Sequence, residues 1–82
     1  MGGNKDSYIS LFKRVCKNYY PELVLKEIEC VEKNRFDNST SSWVSDGYSI
    51  FIGIEHTLEY NISEIEYFIE SILGCEIIIT EQ

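Results

Sequence analysis

Residues 61–80, NISEIEYFIESILGCEIIIT, carry the clearest structural signal in the chain. Ser63 followed three residues later by Glu66 has the form of a capping box, and Ile62 and Tyr67 are spaced for a hydrophobic staple. Ile65, Phe68, Ile69 and Ile72 recur at steps of three and four, which predicts a helix over 63–73 with one buried stripe. Gly74 is its natural left-handed stop. In Cys75-Glu-Ile-Ile-Ile-Thr80 the period changes to two, which predicts a strand with Cys75, Ile77 and Ile79 inward and Ile78 outward. Three consecutive isoleucines on an exposed edge would invite aggregation, so the pattern places this strand centrally in its sheet.

Upstream, Asp46-Gly47 is the strongest hairpin signal, because such a pair accepts the positive φ of a tight turn. A two-residue turn there sets Trp43 opposite Ile50 and puts Trp43, Tyr48, Ile50, Ile52 and Ile54 on the core side. Ser49, Phe51, Gly53 and Glu55 then line the other face, where Phe51 is the apolar misfit. Phe36–Ser42 is a polar loop whose Asn, Asp and Ser residues favour turns.

The first element is a helix beginning near Asp6 or Ser7, with Tyr8, Leu11, Phe12, Val15 and Tyr19 on one face. Pro21 forces Tyr20 out of the helical region and ends it. Residues 22–35 read two ways. Val24, Leu25, Ile28 and Val31 share a helical face, and Glu22–Lys26 and Glu29–Lys33 suit a helix. The β-branched residues and the need for strand partners tilt residues 23–33 toward a strand.

Eighty-two residues make one domain, 1–82, with 1–5 read as disordered or a cloning remnant. A hydrophobic content of 44% argues against disorder of the rest. The net charge of −7 is unevenly spread: residues 1–20 carry Lys5, Lys13, Arg14 and Lys17 against Asp6, and no Lys or Arg follows Arg35. That balance disfavours nucleic acid and anionic membranes as partners, since both would be repelled. Cys16, Cys30 and Cys75 are odd in number, with no C-x-x-C pair, and read as reduced thiols of a cytoplasmic protein. No run of apolar residues is long enough for a membrane span.

The chemistry of known sites is thinly represented. No Gly-rich phosphate loop is present, and a lone His56 without metal-ligand spacing predicts neither a metal site nor a cofactor. The cysteines alternate with apolar neighbours, as buried small hydrophobes do. Carboxylate clusters such as Glu64, Glu66 and Glu70 lack a companion nucleophile or base, so small-hydrolase activity is disfavoured and no catalytic residue is assigned. Acyl carrier proteins are also small and acidic, but their cofactor serine directly follows an aspartate; here Gly47 and Tyr48 stand between Asp46 and Ser49, and the chain ends in a strand. The closing helix, Gly74-Cys75-Glu76 and aliphatic strand are similar, over a short overlap that assigns no family, to the C-terminus of barstar-type ribonuclease inhibitors.

These elements predict an α+β fold: a single small antiparallel sheet with two helices on one face, in the order α-β-β-β-α-β. The outline resembles double-stranded RNA-binding modules, yet Asn61-Ile-Ser-Glu64 stands where that function requires cations. The expectation is therefore a non-enzymatic protein that binds and inhibits or neutralises a protein partner with a basic surface, of the toxin-immunity, anti-defence or nucleic-acid-mimic type. Asp37, Asp46, Glu55 and Glu59, which border the expected hairpin in a stretch from Phe36 to Gln82 without Lys or Arg, are the candidate contacts, and Phe51 the candidate anchor. The alternative is a structural subunit that forms a homodimer through the apolar Phe51/Ile78 face.

Overall fold

A computed structural model describes residues 3–82. The elements run α1 (Gly3–Tyr19), β1 (Leu25–Asp37), β2 (Ser42–Ile54), α2 (Ile62–Leu73) and β3 (Glu76–Glu81). They form an α+β fold with one three-stranded sheet ordered β1-β2-β3. Of the first five residues, Met1 and Gly2 lie outside the described residues, and Gly3 already begins α1.

Helix α1 buries Phe12, Val15 and Cys16 and half-buries Tyr8 and Leu11. Cys16 takes the place expected of Tyr19, which lies largely exposed with its ring edge-on to Phe68 at 5.0 Å. The helix ends where Pro21 dictates. Tyr20 N–H still donates to Cys16 O, and Leu23 N–H then donates to Tyr20 O across a tight turn with proline at its second position.

The segment that read two ways is a strand. It runs thirteen residues antiparallel to β2, with register shifts at Lys26 and Lys33, and Ile28 and Cys30 face the helices opposite Ile52 and Ile50. The paired backbone groups of a long ladder outweigh the weak helix-stabilising ion pairs that 22–35 could have formed.

Asp46-Gly47 is not a hairpin turn. The chain reverses at residues 38–41, and β2 runs unbroken through Asp46-Gly47 as a bulge. There the register steps from Glu32↔Tyr48 to Asn34↔Ser45, so Lys33 alone opposes both residues. Gly47 supplies the positive φ, +95°, that such a bulge uses. The stretches flanking Asp46-Gly47 are thus parts of one strand, and Trp43 keeps the face of Ile50 but lies outside the buried core. It is 70% exposed and stacks edge-on against Phe36, its cross-strand neighbour, at 5.6 Å.

The sheet is mixed, not wholly antiparallel. Strands β2 and β3 are parallel, in register from Ser49↔Glu76 to Ile54↔Glu81. The connection through α2 supplies the crossover that a parallel pair needs. The centre belongs to β2, whose Ile50, Ile52 and Ile54 are fully buried, and β3 lies at an edge. Two carboxylates on α2 resolve the hazard of an isoleucine-rich edge strand. Glu66 Oε2 accepts from Ile79 N–H at 2.7 Å, and Glu70 Oε2 accepts from Ile77 N–H at 3.1 Å. The outward donors of Ile77 and Ile79 are therefore taken, which blocks the isoleucine-rich part of the edge to other strands.

This role for Glu66 removes it from the capping box. The N-cap is Asn61, whose side chain accepts from Glu64 N–H, and the Ser63/Glu66 pair lies two residues too late. Tyr67 is 77% exposed, so it forms no staple with Ile62. The buried stripe is Ile65, Ile69 and Leu73, with Phe68 half-buried and Ile72 exposed. Gly74 ends the helix at φ 73°, with its N–H on Glu70 O.

Candidate functional site

Both helices contribute to the core on one face of the sheet, and among the described residues the opposite face carries no element. Side chains alternate across a strand, so the register fixes what that open face presents. Val31, Ser49 and Glu76 form one row, Glu29, Phe51 and Ile78 the next, and Glu27, Gly53 and Thr80 the third. Phe51 sits at the centre, 42% exposed. A shallow trough of about 500 Å³ runs over this surface, lined by Glu27, Glu29, Phe51, Gly53, Ile78 and Thr80.

Polar groups fix the rim. Ser49, only 3% exposed, donates its hydroxyl to Glu76 Oε1 at 2.8 Å, and Lys33 Nζ approaches the same oxygen at 3.3 Å. The Ser49 hydrogen bond, and secondarily Lys33, hold the Glu76 carboxyl below its ordinary value. On the far side Gln82 Nε2 donates to Glu27 Oε2 at 2.9 Å. Its amide lies over Gly53, where a β-carbon would collide with it. Glycine at this position keeps the end of the trough low. Glu27 and Glu29 have no cation partner among the described residues.

The sequence-derived contacts do not assemble in one place. Asp46 and Glu55 lie nine residues apart along an extended strand, roughly 30 Å. At the hairpin end, Asp37 Oδ1 accepts from Ser39 N–H at 3.0 Å and from its hydroxyl at 2.7 Å. These bonds, the side-chain one foremost, lower the Asp37 pKa. Asp46 is met by Arg35 Nε at 3.5 Å, so the hairpin does have a balancing cation, supplied by the facing strand. At the opposite end, Glu55 N–H extends the pairing by donating to Val24 O, and Glu59 N–H donates to Thr57 Oγ1. Phe51 alone among the five lines the trough on the open face. Glu27, Glu29 and Glu76 were missed as its neighbours, because only strand register brings residues 27–29 and 76 beside residue 51.

The remaining candidates for chemistry are dispersed. His56 Nδ1 is 2.8 Å from Glu81 Oε2, which also accepts from Thr57 N–H, and this pairing ties the end of β2 to the end of β3. Burial pushes the Cys16 thiol up to about 11 and raises Cys30 and Cys75 as well, against thiolate formation. Among the described residues no group of three or more His, Cys, Asp or Glu is arranged to hold a metal, and no helix is long and apolar enough to cross a membrane. No protein-family model, curated protein or solved structure matches the chain.

Proposed function

We propose that this chain is a non-enzymatic binding protein that engages a protein partner with a basic surface through the open face of its sheet. The observation that carries this reading is Phe51, an exposed aromatic ring at the centre of an unroofed sheet face, flanked by Glu27 and Glu29. The partner that fits presents an apolar side chain to the Phe51–Ile78 trough and Lys or Arg to the carboxylates. A net charge of −7 would speed the encounter, and the ring would supply residence time. Neutralising a toxin, inhibiting a defence protein and occupying a basic nucleic-acid cleft are the biological forms such binding takes.

Affinity capture at low salt, run in parallel with wild type, Phe51→Ala and Glu29→Gln, tests the proposal. A basic protein retained by wild type, released by salt and lost from both variants is the expected result. Equal retention of the same proteins by Phe51→Ala would remove the face from consideration. The alternative, a homodimer through the Phe51/Ile78 face, requires that Phe51→Asp halve the mass measured in solution.

A further inference from the structure

The two edges of the sheet differ. The outer donors of β3 at Ile77 and Ile79 are taken by carboxylates from α2. At the other edge, no described residue covers β1 in this way. Gln82 N–H donates to Ile54 O on the β3 side of β2, and Glu55 N–H donates to Val24 O on the β1 side. Backbone groups of successive strand residues point to alternate edges, so Ile50, Ile52 and Ile54 face β3, while Ser49, Phe51 and Gly53 face β1. Their partners Val31, Glu29 and Glu27 therefore point toward β2. The N–H and C=O groups of Ile28, Cys30 and Glu32 are left pointing outward along a free edge.

We propose that two copies of this chain pair antiparallel through that edge, about a two-fold axis at Val31. The occupant is argued from charge. On the open face β1 reads Glu27, Glu29, Val31, Lys33, Arg35: two acids, an apolar residue, two bases. Antiparallel pairing about Val31 sets Glu29 of each copy opposite Lys33 of the other, and Glu27 opposite Arg35. That is two pairs counted twice, four complementary contacts around a Val31–Val31 centre. Shifting the register by two residues either way halves this number, and parallel pairing sets like against like.

The backbone parity agrees. In this register Cys30 opposes Glu32 and Ile28 opposes Asn34, so outward-pointing groups meet as hydrogen-bonded pairs. The charged residues then fall at the non-hydrogen-bonded positions, where opposed side chains come closest. Lys33 and Arg35 already lean on Glu76 and Asp46 of their own chain at 3.3 and 3.5 Å, which keeps both cations on the open face. The product is one six-stranded sheet, three strands from each copy, with both Phe51 troughs on the same side. This pairing leaves the Phe51–Ile78 trough uncovered but engages Glu27 and Glu29, so in the dimer a partner would meet the ring and not these two carboxylates.

The test uses the purified chain alone, by light scattering and sedimentation across micromolar concentrations. Wild type should show twice the 9.6 kDa chain mass, and the amides of Ile28, Cys30 and Glu32 should be protected from hydrogen exchange. Lys33→Glu/Arg35→Glu and, separately, Glu27→Lys/Glu29→Lys should each weaken the dimer by about 100-fold, since four attractions become four repulsions. Mixing the two variants, each folded by circular dichroism, should restore a one-to-one heterodimer. Phe51→Asp should leave the mass unchanged. A monomeric wild type, a dimer indifferent to both reversals, a mixture that stays monomeric, or a dimer lost with Phe51→Asp would each overturn the proposal.

Discussion

Replacing Glu66 by alanine isolates the device that closes the β3 edge. Glu66 Oε2 lies 2.7 Å from Ile79 N, a charge-assisted bond made by a half-buried side chain. Bonds to charged groups contribute about 1.5–3 kcal/mol to stability. Water can reach a strand edge and replace part of that, and alanine recovers a few tenths of a kcal/mol in helix propensity. A net loss of about 1.5 kcal/mol follows, which in a domain of this size lowers Tm by about 6–12 °C. Glu66→Gln keeps a carbonyl acceptor but loses the charge, so it should fall about halfway between wild type and Glu66→Ala. Urea denaturation gives the energies, and hydrogen exchange at the Ile79 amide reports the bond itself. Glu66→Ala should also associate more readily on concentration, because Ile77–Ile79 then sit on an open edge. If both variants unfold within about 0.5 kcal/mol of wild type, or the Ile79 amide keeps its protection, the carboxylate is not closing this edge.

Gly47→Ala meets open space but must hold φ +95°, so it should cost about 1–2 kcal/mol by thermal denaturation, from backbone strain alone. The Glu76 carboxyl is held below its ordinary 4.5, chiefly by Ser49. A depressed folded pKa adds stability that is present above the unfolded value and lost as pH falls through the folded one. Ser49→Ala should therefore move the Glu76 NMR titration upward and lessen the loss of stability below about pH 4.5; an unchanged midpoint would refute the role of the hydroxyl. Cys16, raised to about 11 and buried, should react with a thiol reagent only at the rate of unfolding, with the less buried Cys75 labelled first. Asn61→Ala should lower stability by about 1 kcal/mol, with no comparable loss in Ser63→Ala; the reverse order would return the capping role to Ser63.

Periodicity and stop signals are local, and what they predict is present: α1 up to Pro21, the stripe through Ile65 and Ile69, Gly74 as the left-handed stop, and inward-facing Ile77 and Ile79. The α+β class follows from the same patterns. What the sequence could not decide was how strands meet. A strand's alternation is the same for parallel and antiparallel neighbours and for a centre or an edge, so β3 was assigned the wrong place, and α2's carboxylates could not be foreseen as its cover. Asp46-Gly47 supplies the positive φ that a turn and a bulge both need, and only the pairing of Lys33 against two residues chooses between them. The same holds for the site. Phe51 was visible as an apolar residue on a polar face, but Glu27, Glu29 and Glu76 become its neighbours only through register across three strands. The sequence by itself determined the two helices, the closing strand and the inward turn of Ile50, Ile52, Ile65, Ile69, Ile77 and Ile79. Tertiary structure decided which edge is closed, which is left open, and which charges surround the exposed ring, because those depend on contacts between residues far apart in the chain.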